Sequence, residues 1–280
     1  MTTRSVRRTL RLAGGGAAVL LALSACSSGT SSSAADSTPT TGSPAGSSAP
    51  AAADKVSGTV TVFAAASLKE SFTALGKEFE AAHPGTKVTF NFAGSDALAQ
   101  SIVSGAPADV FAAASPATMQ TVTDAGDAVG TPVTFVRNQL QIAVAPGNPK
   151  KITSLKDLTR SGLKVALCAK EVPCGAAAVK ALAAGSVKLT PVTYEQDVKS
   201  ALTKVELKEV DASLVYTTDV KSAGGKVDGV AFDESAQAVN AYPIATLSHA
   251  PNADAAQAFV GLVESAEGQQ VLTAAGFLNP

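Results

Sequence analysis

Two serines, Ser67 and Ser95, each stand where an apolar stretch runs directly into an amphipathic helical pattern. The first stretch reads V-T-V-F-A-A-A-S-L-K-E from Val60 to Glu70, and the second, F-A-G-S-D-A-L-A, begins at Phe92. The first amides of a helix have no partner within it and carry the positive end of its dipole, so such corners bind anions. Plain N-capping by each serine is the alternative role. Together the two corners predict a pocket that holds an anion by hydrogen bonds rather than by charge.

Three later residues are candidates for further donors. The segment P-C-G at 173–175 opens a helical pattern with proline in the first turn, and the Cys174 amide lies behind it. Asp197 is placed to cap a helix that begins at Val198, which leaves the Val198 N–H free to point outward. Tyr216 ends a strand pattern, where its hydroxyl either donates across a cleft or belongs to an ordinary half-buried tyrosine.

The sequence offers little for catalysis. It contains no G-x-S-x-G elbow, no phosphate-binding G-x-x-x-x-G-K-[ST] loop and no H-E-x-x-H zinc motif in the folded part. The two histidines, His83 and His249, fall in turn-like segments and are poor general bases. A secreted hydrolase or transferase is therefore disfavoured, and a binding protein is favoured.

The N-terminus has the pattern of an export signal. Arginines 4, 7, 8 and 11 precede an apolar run from Leu12 to Leu23, which is too short to span a bilayer. The following L-S-A-C resembles a bacterial lipobox, and this resemblance implies a signal peptide at 1–25 and a lipid on Cys26. The adjacent arginines leave a twin-arginine export route open.

Residues 26–55 consist almost entirely of Ser, Ala, Thr, Gly and Pro, which predicts a disordered linker with folded material beginning near Val56. Removing the four signal-peptide arginines from 22 basic residues leaves 18 against 23 acidic ones, a net charge of −5. Such a balance disfavours nucleic acid and anionic membrane surfaces as partners.

With Cys26 assigned to the lipid, two cysteines remain in an oxidising compartment. Cys168 and Cys174 are predicted to form a disulfide that closes a small loop. A metal-binding pair or a reactive thiol is the alternative, although metal is disfavoured because no histidine lies near them in the sequence.

Strand and helix patterns alternate along the chain, which predicts an α/β fold with mostly parallel sheets covered by helices. The alternation begins with strand Val60–Ala65 and a helix whose start carries a capping box formed by Ser67 and Glu70. It breaks after residue 130, where two strand patterns follow each other with no helix between them. A second region of alternating strand and helix patterns follows. A strand-like segment, Ala238–Leu247, then returns the chain to the first lobe. We expect two lobes joined by two crossing strands, lobe 1 comprising 56–138 and 246–280 and lobe 2 comprising 139–245.

Six separated motifs, in order along the chain, resemble those of periplasmic molybdate-binding proteins of ABC importers. They comprise the two serine motifs together with G-A-P-A-D-V-F from Gly105, E-V-P-C-G from Glu171, E-Q-D-V from Glu195 and L-V-Y-T-T-D from Leu214. The resemblance implies the two-lobed type II periplasmic binding protein fold. It also implies that the ligand is a bare tetrahedral oxyanion, held by donors from Ser67, Ser95, Cys174, Val198 and Tyr216. At Cys174 the family commonly has alanine, so only the backbone N–H carries over.

The resemblance further implies delivery of molybdate, and of tungstate, to an ABC permease by a monomer anchored outside the cell membrane through Cys26. It implies no cofactor. A shell made only of donors favours anions that carry no proton and disfavours hydrogen phosphate. A sulfate receptor of the same fold and a lipid-anchored adhesion or scaffolding domain remain alternatives.

Overall fold

The computed structural model describes residues 56–280, and the predicted signal peptide, Cys26 and the linker to residue 55 lie outside the described residues. Ten strands form two five-stranded sheets. Sheet 1 has the order β2-β1-β3-β10-β4 and sheet 2 has the order β7-β6-β8-β5-β9. The sheet 1 strands are β1 Gly58–Ala65, β2 Thr86–Ala93, β3 Val110–Ala112, β4 Val133–Asn138 and β10 Asn240–Thr246. The sheet 2 strands are β5 Leu140–Val144, β6 Val165–Cys168, β7 Thr193–Glu195, β8 Ala212–Tyr216 and β9 Asp228–Val230.

Helices flank both sheets. They are α1 Lys69–Ala82, α2 Ser95–Val103, α3 Pro116–Asp124, α4 Pro173–Ala184, α5 Val198–Glu206, α6 Thr217–Ser222, α7 Ala253–Glu264 and α8 Ala266–Ala275. Short 3-10 turns lie at Ala66–Leu68, Leu155–Thr159 and Asp233–Ala238. Within residues 56–280, no helix has both the length and the apolar character needed to span a bilayer.

Each sheet is parallel except for one strand. In sheet 1, β10 runs antiparallel to β3 and β4, and in sheet 2, β5 runs antiparallel to β8 and β9. Strand β4 of sheet 1 is followed by β5 of sheet 2 with only Gln139 between them. The predicted two-lobed α/β architecture is therefore confirmed, and lobe 1 and lobe 2 are used below for the sheets with their helices.

The chain returns to lobe 1 earlier in the sequence than predicted. Residues 240–245, assigned from the sequence to lobe 2, belong to strand β10 of sheet 1. There Tyr242 pairs with Val136, and Ile244 pairs with Ala112. Tyr242 and Ile244 are buried in lobe 1, and this burial decides which sheet the strand joins.

The apolar face of α1 explains how the first corner is held in place. Phe72 and Phe79 recur on the same face of the helix and are buried, as the helical spacing predicts. Their rings pack edge-to-face against Phe259 of α7 at centroid distances of 5.9 and 5.5 Å. This packing fixes the start of α1 at the carboxyl end of β1.

Candidate functional site

A cavity lies between the lobes at the carboxyl ends of parallel strands, which is where open α/β sheets bind ligands. Its cavity volume is about 10 Å³, far below the roughly 300 Å³ at which pockets for drug-sized molecules begin. It therefore suits a small ion. The lobe 1 lining is Ala65, Ala66, Ser67, Ala93, Gly94, Ser95 and Ala114, and the lobe 2 lining is Val172, Pro173, Cys174, Asp197, Val198 and Tyr216.

The structure thus brings all five residues proposed as ligand contacts, Ser67, Ser95, Cys174, Val198 and Tyr216, into one cavity. Each has an exposed fraction of 4% or less. The described lining contains no Lys, Arg or His, and no cluster of three or more metal-ligating side chains occurs within residues 56–280. An anion in this space would meet hydroxyls and backbone amides.

Ser67 does not cap helix α1, so the predicted capping box is wrong. The residue lies in the 3-10 turn Ala66–Leu68, and its hydroxyl is 2.9 Å from the Tyr242 hydroxyl of β10. Glu70 instead places its carboxylate 2.8 Å from Lys199 Nζ of lobe 2. The 3-10 turn delays the α-helix to residue 69, and the serine side chain is turned toward the interior.

Ser95 also has a different local role from N-capping. The N-cap of α2 is Gly94, and Ser95 is the first residue of the helix. Its hydroxyl oxygen accepts a hydrogen bond from the Ala114 N–H at 3.0 Å. Because that oxygen is already an acceptor, the hydroxyl proton is available to the cavity.

The two lobe 2 helices present their N-termini to the cavity. Asp197 caps α5 as expected, its Oδ1 accepting from Ser200 N at 2.9 Å, so the carboxylate is engaged in the cap. Val198 is the first residue of α5, and its N–H has no acceptor within the helix.

Cys174 lies in the first turn of α4 behind Pro173. The structure contains the Cys168–Cys174 disulfide, with the two Cα atoms 5.8 Å apart. It joins the end of β6 to the first turn of α4, which is the turn that faces the cavity. Between the alternatives left open above, the structure therefore favours the disulfide over a metal pair or a free thiol.

Tyr216 ends strand β8 with its side chain 1% exposed. Its hydroxyl oxygen accepts a hydrogen bond from Asn240 Nδ2 at 2.8 Å. Burial raises the pKa of this hydroxyl well above its ordinary value. The phenol therefore stays protonated and neutral.

Sequence reasoning missed a second row of polar residues behind the cavity: Asn138, Asn240 and Tyr242. All are buried in lobe 1, and none lines the cavity. The available signal was the spacing of Asn240 and Tyr242, two polar side chains on one face of an otherwise apolar strand. That pattern indicates buried hydrogen bonding, although it does not identify the partners.

An ion cluster joins the lobes beside the cavity. Lys199 Nζ of α5 lies 2.8 Å from Glu70 Oε2 of α1 and 3.3 Å from Asp219 Oδ1 of α6. Asp219 is completely buried, and its Oδ1 accepts no hydrogen bond. Burial raises the pKa of Asp219 to about 6, although Lys199 opposes the shift. Through the pair of Lys199 with Glu70, this cluster connects lobe 2 to lobe 1.

Two α/β lobes with a buried cavity between them, lined by hydrogen-bond donors, define a two-lobed solute-binding protein. The family model for bacterial extracellular solute-binding proteins matches residues 60–278, and the chain belongs to this family. It is a binding protein and not an enzyme.

Two relatives are similar to this chain over most of its length. The molybdate-binding protein ModA of Mycobacterium tuberculosis is 44% identical over 239 residues, covering 85% of this chain and 92% of the relative. The protein of the same name from Haemophilus influenzae is 32% identical over 233 residues, covering 78% and 89%. These relatives confirm the resemblance drawn from the six motifs.

The fold has a solved counterpart in the periplasmic molybdate-binding protein of Azotobacter vinelandii. The TM-score is 0.70 at 18% identity, over 79% of this chain and 99% of that one. At this identity the likeness concerns the fold, and it agrees with the two-lobed arrangement described above.

Proposed function

We propose that this protein captures molybdate in the interlobe cavity and delivers it to an ABC permease. The observation that carries the proposal is the buried cavity whose lining offers hydroxyls and amides but no cationic side chain. Hydrogen bonds to a charged acceptor contribute about 1.5–3 kcal/mol each, so a shell of them compensates a small dianion for its lost water. The names of the relatives at 44% and 32% identity support molybdate as the ligand.

Within this proposal, Ser67, Ser95 and Tyr216 donate through hydroxyls, while Cys174 and Val198 donate through backbone amides. No cofactor and no nucleic acid takes part, and the protein acts as a monomer. Because the cavity lies between the lobes, ligand binding and lobe closure are coupled: donors from both lobes must reach the same ion.

Isothermal titration calorimetry with molybdate, sulfate and phosphate tests the assignment. We expect molybdate to bind most tightly, because the relatives at 44% and 32% identity are molybdate-binding proteins, and phosphate to bind most weakly, because a shell of donors disfavours its proton. Tighter binding of sulfate would overturn the molybdate assignment and favour a sulfate receptor of the same fold. Absence of any oxyanion-dependent rise in melting temperature would favour an adhesion or scaffolding role instead.

Tungstate has the same tetrahedral shape and charge as molybdate, and we propose that the same donors hold it. In a competition titration, tungstate should displace bound molybdate from the cavity with a similar dissociation constant. If tungstate displaced no molybdate from the saturated protein, the proposal that the same donors hold tungstate would be contradicted.

We also propose that a lipid on Cys26 anchors the protein to the outer face of the membrane, with residues 26–55 as its tether. The support is the lipobox-like L-S-A-C after an export signal. Replacing Cys26 with serine should move the protein from the membrane fraction to the soluble extracytoplasmic fraction. Unchanged membrane association of the Cys26→Ser variant would argue against the anchor.

A further inference from the structure

Two hydroxyls of the cavity accept a hydrogen bond from the protein. The Ala114 N–H donates to Ser95 Oγ, and Asn240 Nδ2 donates to the Tyr216 hydroxyl oxygen. A hydroxyl whose oxygen already accepts a hydrogen bond can turn its own proton toward another partner. For Tyr216, this donor is a side chain that does not line the cavity.

The orientation of the Asn240 amide follows from its surroundings. Its Nδ2 lies 2.9 Å from the Ala114 carbonyl oxygen and 3.2 Å from that of Pro173, and carbonyl oxygens only accept. The NH₂ group must therefore occupy this position. Since Nδ2 has no lone pair to offer, the Tyr216 oxygen 2.8 Å away is the acceptor.

Asn138 donates to the other phenol. Its Oδ1 accepts from the Gln139 N–H at 2.9 Å, so Nδ2 faces the other side, toward Thr218 Oγ1 at 2.9 Å and the Tyr242 hydroxyl at 3.4 Å. The Tyr242 hydroxyl in turn lies 2.9 Å from Ser67 Oγ, and either oxygen of this pair can be the donor.

We infer that Asn240 is a specificity-determining positioning residue that directs the Tyr216 hydroxyl to donate into the cavity. This inference rests on the proposed oxyanion function and deepens it. Hydrogen phosphate carries the same double charge as molybdate near neutral pH, but it must place one P–OH proton against an acceptor. Because the Tyr216 oxygen already accepts a hydrogen bond from Asn240, it is a weaker acceptor for that proton, and the protonated anion is disfavoured.

The test replaces the donor group of Asn240 with an acceptor group of nearly the same shape. In Asn240→Asp, at mildly alkaline pH, the carboxylate accepts the Tyr216 proton and turns the phenol oxygen toward the cavity. We expect molybdate binding to weaken at least about tenfold. The affinity for molybdate divided by the affinity for hydrogen phosphate should fall by a similar factor. General damage to the fold would weaken both anions together and leave the ratio unchanged.

Asn252→Asp is the matched control. The Asn252 Nδ2 also donates to carbonyl oxygens, those of Ser57 at 2.7 Å and Thr59 at 3.4 Å, but it lies away from the cavity. This variant should lose thermal stability while keeping the wild-type affinity ratio. An unchanged ratio in Asn240→Asp, or an equal narrowing in Asn252→Asp, would overturn the inference.

A double-mutant cycle keeps the inference testable if Asn240→Asp does not fold. Asn240→Ala should weaken molybdate binding in the wild-type background and have little effect when Tyr216 is already Phe, because Asn240 acts through that hydroxyl. An equal loss in both backgrounds would refute the inference. If wild type prefers sulfate, the molybdate proposal fails, yet the same ratios measured with sulfate still test Asn240.

Discussion

At the residue scale, the hydroxyls of Ser67 and Ser95 are held by partners on other parts of the fold. A serine between a strand and a helix is a local pattern, which is why the sequence indicates these two residues. Their actual partners, Tyr242 and the Ala114 N–H, are 175 and 19 residues away in sequence. Such partners depend on how β10 and β3 are placed in the sheet, which local patterns do not determine.

Replacing the serines tests their proposed role directly. Ser67→Ala and Ser95→Ala should each weaken molybdate binding by about 1–3 kcal/mol, because each removes a donor to a charged acceptor. Ser95→Ala should also lower stability, since it leaves the buried Ala114 N–H without its acceptor. Calorimetric titration and thermal unfolding measure the two effects separately.

Ser101→Ala is the matched control for these variants. Ser101 lies on the same helix as Ser95, but it is exposed, and its hydroxyl donates only to the Ala97 carbonyl at 2.9 Å. Its affinity for molybdate should equal that of wild type. Normal binding by a Ser67→Ala, Ser95→Ala double variant would place the ligand elsewhere.

At the element scale, the start of α2 fits closely against the opposite lobe. Gly94, the N-cap of α2, has φ −58° and ψ 134°, which any L-residue can adopt. A Cβ at this position would nevertheless clash with the Gln196 carbonyl oxygen of lobe 2 and with Asp96 Oδ1 of its own helix. The Asp96 carboxylate is the end of a side chain that can move, whereas the Gln196 oxygen is backbone, so we expect the glycine to be required mainly where the two lobes meet.

Gly94→Ala should separate folding from closure. We expect the ligand-free protein to melt near the wild-type temperature, while molybdate affinity falls by at least about tenfold because the lobes cannot fully approach. Small-angle scattering should show less compaction on adding molybdate. Gly261→Ala on α7, where a Cβ would meet no atom within 4 Å, is the control. Wild-type compaction by Gly94→Ala would show that this contact does not limit closure.

At the scale of the whole molecule, the alternation of strands and helices sufficed to predict two lobes, but not where the second crossing ends. The absence of a helix pattern between β4 and β5 marked the first crossing. At the second, the segment around Asn240 has strand character throughout, so its pattern does not mark where the chain changes sheets. The pairing of β10 with β3 and β4 assigns it to lobe 1, where Tyr242 and Ile244 are buried.

Asp219 makes the stability of the molecule depend on pH in an unusual direction. Its pKa is about 6 in the folded state against 3.8 when unperturbed, so between these values the native state binds more protons than the unfolded state. The free energy of unfolding therefore falls as pH rises from about 4 to about 6, by about 3 kcal/mol from this group. Asp219→Asn, measured by urea unfolding of the ligand-free protein, should gain stability relative to wild type as pH rises through this window.

Asp254→Asn, an exposed change in the first turn of α7, is the comparison for Asp219→Asn. Its stability difference from wild type should stay nearly constant across the same pH range. A constant difference for Asp219→Asn as well would show that the buried carboxyl titrates at an ordinary pKa.

The near-complete burial of the cavity residues also governs kinetics. With Ser67, Ser95, Cys174, Val198 and Tyr216 each at most 4% exposed, an ion bound to them would be covered by both lobes. We expect its residence time to depend on how often the lobes part. Under the proposed function, a permease that receives the ion then has to separate the lobes before transfer, so the speed of delivery depends on the contacts between the lobes as well as on those to the ion.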